Sequence, residues 1–178
     1  MTLGTPINES QIREYLREVA DELAPSGTQH VLVIVGGALL AWLGFREATR
    51  DVDSVLRFDD ELADAVRAVA ERHELAPAWV NHHAAAFLPQ TFVMEECEVL
   101  MERGRLRVLG APVRQVILMK LFAGRAQDHE DLVALWPLAS FTPAEAVAEY
   151  WKAYPGAPED EYLLSWVEDI ACRSGRGA

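Results

Sequence analysis

Between Val35 and Asp53 the chain reads Val-Gly-Gly-Ala-Leu-Leu-Ala-Trp-Leu-Gly-Phe-Arg-Glu-Ala-Thr-Arg-Asp-Val-Asp, and no other segment constrains the fold as strongly. A glycine pair, Gly36-Gly37, closes a β-branched apolar run that starts at His30. Thirteen residues later come Asp51 and Asp53, with Val52 between them. Alternate side chains of a strand share a face, so this spacing places the two carboxylates together and turns Val52 inward. Two carboxylates on one face repel unless a positive charge lies between them. A hard divalent cation carrying a triphosphate meets that requirement with oxygen ligands alone. The glycines leave backbone without Cβ atoms, so a phosphate can approach the amides at the start of the next helix. Close helix packing is the competing account of the glycine pair, and a strand start is that of the acidic pair.

Composition bounds the rest. The 178 residues suffice for one well-buried domain with a helical appendage, and 51% are apolar. No apolar run reaches membrane-spanning length. The N-terminal Met-Thr-Leu-Gly-Thr-Pro-Ile-Asn lacks the basic and apolar regions of a secretory leader. Cys97 and Cys172 lie far apart with no C-x-x-C partner, so a reduced, cytoplasmic, disulfide-free chain is expected. The net charge of −12 opposes indiscriminate nucleic-acid binding. Yet Arg103, Arg105, Arg107, Arg114, Lys120 and Arg125 fall in a stretch, Arg103 to Gln127, that holds no acid. Such a stretch suits a polyanion held at one place, or simply a solvated basic strand and helix.

Periodicity predicts a helix from Asn8 to Leu23, a strand from His30 to Val35, and a helix from Gly36 to Leu43 stopped by Gly44. A strand from Asp51 to Phe58 and a helix capped by Asp59 and running to His73 follow. Val80 to Pro89 reads as a short helix, and Phe92–Met101 and Arg105–Leu109 as strands joined by a turn. Further helices are predicted from Pro112 to Phe122, from Asp128 to Trp136, from the Thr142-Pro-Ala-Glu145 capping box to Tyr154, and from Glu159 to Cys172. The polar tail Arg173 to Ala178 is expected to be disordered. The fold class is therefore α+β: a mixed β-sheet flanked by helices, with a helical C-terminal part. The division expected is 1–138 and 139–178, the second packed on the first.

A second constellation lies between Leu118 and Leu132. Lys120 projects from an apolar stripe formed with Val113, Val116, Ile117 and Gly124, so its ammonium needs an anion or a route to solvent. A phosphate or a carboxylate of the chain would serve. Asp128 and Asp131 suit an N-cap and its N3 partner equally well. Arg125 and Arg114 lie on another side of the preceding helix. Adjacent His82 and His83 face different ways on a helix and have no third ligand at suitable spacing, so they are not read as a zinc site. The five tryptophans read mostly as core.

With Gly36, Gly37, Asp51 and Asp53 in place, the chain resembles nucleotidyltransferases of the DNA polymerase β type. The wider set Arg46-x-x-Thr49-x-Asp51-x-Asp53, then Lys120, then Arg125-x-x-Asp128-x-x-Asp131-Leu132 resembles the AbiEii/MenT-like bacterial nucleotidyltransferase toxins and their relatives. The Trp79-Val80-Asn81 and Phe87-Leu88-Pro89 pieces resemble that subgroup too, and the likeness spans Val31 to Leu138. It implies a minimal nucleotidyltransferase fold and Mg²⁺-dependent transfer of a nucleoside monophosphate from an NTP. Asp51, Asp53, Lys120 and Asp131 would then be catalytic, and Gly36, Gly37, Arg46, Thr49, Arg125 and Asp128 would bind nucleotide. Asp51 and Asp53 would hold the metal, with Glu98 the nearest candidate for the third carboxylate such enzymes place on a later strand. The acceptor implied is the 3′ end of tRNA, in a toxin that has a cognate antitoxin protein and no membrane partner. Transfer to a protein or small molecule, and a degenerate nucleotide-binding or antitoxin-like module, stay open as alternatives.

Overall fold

Asn8 starts the first helix as its sequence dictates. Its side chain accepts from the Gln11 amide while the Gln11 side chain accepts from the Asn8 amide, satisfying two donors that a helix start leaves open. The computed structural model describes residues 5–175, and it is α+β as expected. Residues 1–4 and 176–178 lie outside the described residues, and with them part of the N-terminal leader reading and the end of the expected C-terminal tail.

In chain order the elements are β1 (Ile7–Asn8), α1 (Glu9–Glu22), β2 (His30–Ile34), α2 (Gly36–Trp42), β3 (Ala48–Thr49), β4 (Val52–Asp53), α3 (Asp60–Arg72) and β5 (Val80–Asn81). There follow β6 (Glu98–Arg103), β7 (Leu106–Gly110), α4 (Val113–Ala123), α5 (Asp128–Ala139), α6 (Pro143–Ala153) and α7 (Leu163–Arg173). The chain divides into two compact units, Met1–Ala86 with Glu96–Ala111, and Phe87–Glu95 with Pro112–Ala178. The expected division at 138 falls inside the second of these, in the last turn of α5.

The first unit is built on strands in the order β6-β7-β2, with β2 and β7 parallel and β6 antiparallel to β7. The β6–β7 register slips between Val99 and Met101. An antiparallel bridge from Ile34 to Ser54 brings β4 beside β2, and β5 pairs in parallel with β4. Separately, β1 pairs antiparallel with β3 and so fixes Thr49 opposite Ile7. Ile12, Leu16 and Val19 of α1 and Leu62, Val66 and Val69 of α3 are buried, which is the stripe each sequence predicts. Asp59 caps α3 by accepting from the Leu62 amide.

In the second unit, Thr142 and Glu145 form the expected capping box of α6, with Pro143 in its first turn. The segment after Phe87 belongs here because Tyr154 donates to the Phe87 carbonyl at 2.6 Å and the Gln90 amide to Ala153 at 3.0 Å. Phe122 and Tyr154 stack at 4.1 Å beneath it, and burial holds the Tyr154 hydroxyl well above its usual range.

Several expectations need correction. The strand predicted from Asp51 to Phe58 shortens to Val52–Asp53 plus the Ser54 bridge, because the Ser54 hydroxyl bonds Leu56 and turns the chain. Val80–Asn81 is a strand followed by a 3-10 turn over His83–Phe87, not a helix from Val80. Met94–Glu96 is a 3-10 turn, so β6 begins at Glu98 rather than Phe92. Pro137 does not stop α5, which runs two residues further and ends at Ser140 in the left-handed region. α7 starts at Leu163, not Glu159, and Arg173 of the expected tail is its last residue.

Candidate functional site

The glycine corner of the first unit assembles most of the residues that the first motif predicts. Gly36 opens α2 with φ +58°, a conformation in which a Cβ is strained. A Cβ there would stand 3.5 Å from Asp53 Oδ2, so the carboxylate lies directly against the bare backbone. A Cβ on Gly37 would come within 2.6 Å of Thr49 Oγ1 and 2.8 Å of an Arg46 guanidinium nitrogen. The glycines thus let three side chains close on the start of one helix. The space above Gly37 is occupied by Thr49 and Arg46 of the chain itself, where a bare phosphate seat was expected. Val35, at the N-cap, contributes no side-chain hydrogen bond, so α2 begins without a side-chain cap.

Asp51 and Asp53 are positioned by the backbone around them. Val52 is fully buried while the residues on either side are half-buried, which is the alternation a strand imposes. The Val52 amide donates to Trp79 at 2.6 Å, the Ser54 amide to Asn81 at 2.8 Å and the Val35 amide to Asp53 at 3.0 Å. Thr49 Oγ1 donates to the Asp51 carbonyl at 3.2 Å and ties the preceding loop to the acidic strand. Sequence reasoning missed two supports. Ser54 is wholly buried, and its hydroxyl accepts from the Val33 and Leu56 amides at 3.2 Å each. Buried Asn81 stands in register with Asp53 across the β4–β5 pair. The serine directly after Asp-x-Asp was the legible signal for the first. Asn81 fell in the Trp79-Val80-Asn81 piece, but its support of Asp53 depends on a pairing nearly thirty residues away.

Glu98 does not complete a metal centre. It pairs with Gly110, Gly110 with Ile34, and Ile34 bridges Ser54, so three strand spacings separate Glu98 from the acidic strand. At ~4.8 Å each this is about 14 Å, too far for two carboxylates to share an ion. Among the described residues no group of three or more His, Cys, Asp or Glu side chains is placed to hold a metal. The His82 ring meets Phe58 edge-on at 5.3 Å, and the His83 amide donates to Asn81.

The second constellation closes on itself within the second unit. Buried Lys120 places Nζ 2.7 Å from Asp128 Oδ1 and 2.7 Å from Asp131 Oδ2, and both carboxylates are buried with it. Asp128 is therefore not an N-cap. It is the first helical residue of α5, Gln127 caps without a side-chain bond, and both acids are turned to the lysine. The anion that Lys120 requires is supplied by the chain. Arg125 lies just past α4, with its guanidinium 5.3 Å from the Phe87 ring centre.

The basic stretch is largely neutralised. Arg103 pairs with Asp21, Arg105 with Glu61, Arg107 with Glu102, and Arg114 with Glu149. Arg105 grips Glu61 through both terminal guanidinium nitrogens, Nη1 and Nη2. That hydrogen bonding, against the opposing effect of burial and with help from His30, holds the Glu61 carboxyl down to about 2.

Comparison with protein families matches residues 13–137 to a nucleotidyltransferase of unknown function (DUF6036). The chain belongs to that family. No curated protein and no solved structure matches it. The DUF6036 match takes in the glycine corner, the acidic strand and the Lys120 cluster, and it ends within α5 before α6 and α7. Membership of this nucleotidyltransferase family agrees with the superfamily resemblance of the first motif. No helix of the described residues is long and apolar enough to cross a membrane.

Proposed function

We propose that this DUF6036 protein transfers a nucleoside monophosphate from an Mg²⁺-bound NTP to an acceptor oxygen. The observation that carries the reading is the Asp53 carboxylate lying against Gly36, with Asp51 two residues earlier, immediately before strand β4. Mg²⁺ is bound by one or two carboxylates together with phosphate oxygens and waters, so Asp51 and Asp53 are a sufficient protein contribution without Glu98. The ion, when bound, supplies charge neutralisation at the phosphates. Arg46 and the Thr49 hydroxyl, stationed over Gly37, are the groups to orient the triphosphate. The acceptor oxygen forms a bond to the α-phosphorus as the bond to the bridging oxygen breaks. Pyrophosphate leaves, and the acceptor's proton passes to water.

The resemblance to AbiEii/MenT-like toxins supplies one acceptor, the 3′ end of tRNA, and with it a cytoplasmic toxin that has a cognate antitoxin protein. The charge distribution favours a second, a protein or small molecule. A tRNA partner calls for a field of free cations, whereas Arg103, Arg105, Arg107, Arg114 and Lys120 are each engaged by a carboxylate.

Incubation with each α-labelled NTP, Mg²⁺, a tRNA pool and a cell extract tests both. Label on RNA supports the toxin reading, and label on protein or a small molecule supports the second. Asp51→Asn should abolish either signal. Absence of label with every NTP would overturn the enzyme. Calorimetry then separates a degenerate nucleotide binder, which keeps Mg²⁺-dependent NTP affinity, from a chain that binds none.

A further inference from the structure

The second unit contains an open pocket of about 460 Å³ lined by Gly124, Arg125, Ala126, His129, Trp166 and Arg173. Trp166 and Arg173 belong to α7, outside the residues that the family match covers. Three features of its wall point to an anion. First, Arg125 differs from the other basic residues between Arg103 and Gln127. They are paired with carboxylates, whereas Arg125 has only the Phe87 ring beside it among the described residues. Second, the state of His129 is fixed by its neighbour. The Trp166 indole can only donate, so at 3.3 Å His129 Nδ1 must accept, which leaves the neutral ring's proton on Nε2. That Nε2–H is buried and, among the described residues, has no hydrogen-bond partner. Third, an anionic group already stands at this wall. Asp169 Oδ2 lies 2.9 Å from Arg173 Nε and 3.6 Å from His129 Nε2. It is a side chain 46% exposed, in an i,i+4 pair of the kind that contributes little and exchanges readily with solvent.

We propose that this pocket binds a phosphoryl group of a small molecule, held by Arg125 and Arg173, with Asp169 as the internal carboxylate it displaces from beside His129. Guanidinium forks match phosphate oxygens in pairs, and each arginine offers more donors than its present contacts use. Displacement of Asp169 gives the orphan His129 Nε2–H an acceptor that comes within hydrogen-bond range. The occupant is compact, because Glu130, Glu168 and Asp169 on the flanking faces of α5 and α7 are exposed and repel an extended polyanion.

The test uses the full chain with ¹⁵N-labelled tryptophan. The Trp166 indole signal is assigned by its loss in Trp166→Phe, and it reports on the His129 contact. Inorganic phosphate, pyrophosphate and adenosine monophosphate are titrated, with sodium chloride at matched ionic strength as the control. A saturable shift of the Trp166 signal by at least one phosphate compound is expected. The compound that saturates first identifies the source as free phosphate, the released diphosphate or a nucleotide. Arg125→Ala and Arg173→Ala, both at exposed side chains, should each weaken binding about tenfold, and Asp169→Asn should tighten it several-fold. A shift that never saturates and matches chloride overturns the proposal, and so does saturation that neither arginine change affects. The readout involves no nucleotidyl transfer, so its failure leaves the reading of the glycine corner untouched, and the converse holds.

Discussion

The glycine corner and the Lys120 cluster each contain two aspartates and a basic side chain, yet the fold uses them in opposite ways. Half-buried Asp53 ends a two-residue strand against backbone without a Cβ, and half-buried Asp51 immediately precedes that strand. Asp128 and Asp131 are buried and closed on one ammonium at 2.7 Å. A buried charge is tolerated only when its partners are fixed, so the second arrangement holds structure together. The half-exposed carboxylates at the corner keep contact with solvent. Residue type alone does not separate the corner proposed to bind nucleotide from a buried clasp; burial and the identity of the counter-charge do.

The sharpest way to break this contrast is Lys120→Ala. It leaves two buried carboxylates without their cation and should cost about 3–5 kcal/mol in denaturant unfolding. The triple change Lys120→Met, Asp128→Asn, Asp131→Asn should recover much of that loss if the cluster is a clasp. At the corner the pattern reverses. Asp51→Asn should lower nucleotidyl transfer about a hundredfold or more while moving stability by no more than about 0.5 kcal/mol. Equal stability losses in the two regions would erase the distinction. Gly37→Ala should then cost about 1–3 kcal/mol, since its methyl group would meet Thr49 Oγ1 and Arg46 at once; Thr49→Ala in the same chain should relieve part of it. The smallest effect is electrostatic. Glu61 is held down to about 2 by Arg105, so its contribution is complete above the unfolded value near 4.5 and is lost as pH falls toward 2. Glu61→Gln should flatten the acid limb of a stability profile across that window and leave neutral pH activity unchanged.

What could be read along the chain was whatever is settled within a few residues. Asp59 caps α3, Thr142 and Glu145 box the start of α6, and Gly36 opens α2, each by a local bond or dihedral. The apolar stripes of α1 and α3 were legible for the same reason, as helical spacing alone selects the buried face. What escaped was settled by distant partners. Asp128 and Asp131 matched a cap pattern, but Lys120 outcompetes a backbone amide for them, and a pattern four residues wide does not contain it. The basic stretch appeared free because Asp21 and Glu61, which neutralise Arg103 and Arg105, lie 82 and 44 residues upstream. Glu98 appeared close to the acidic pair because strand order across a sheet is not written in strand sequence.

The slip of register between Val99 and Met101 has a bearing beyond the sheet it interrupts. Strand β6 is the outermost of its three, and such a rim offers unpaired amides to any extended chain that drifts past. The irregularity kinks that rim, and Glu98, Glu102 and Arg103 stud it with charge, all exposed to water. A protein concentrated in a crowded compartment is thereby guarded against recruiting strangers into its own sheet, and straightening β6 by deleting Leu100 would remove that guard.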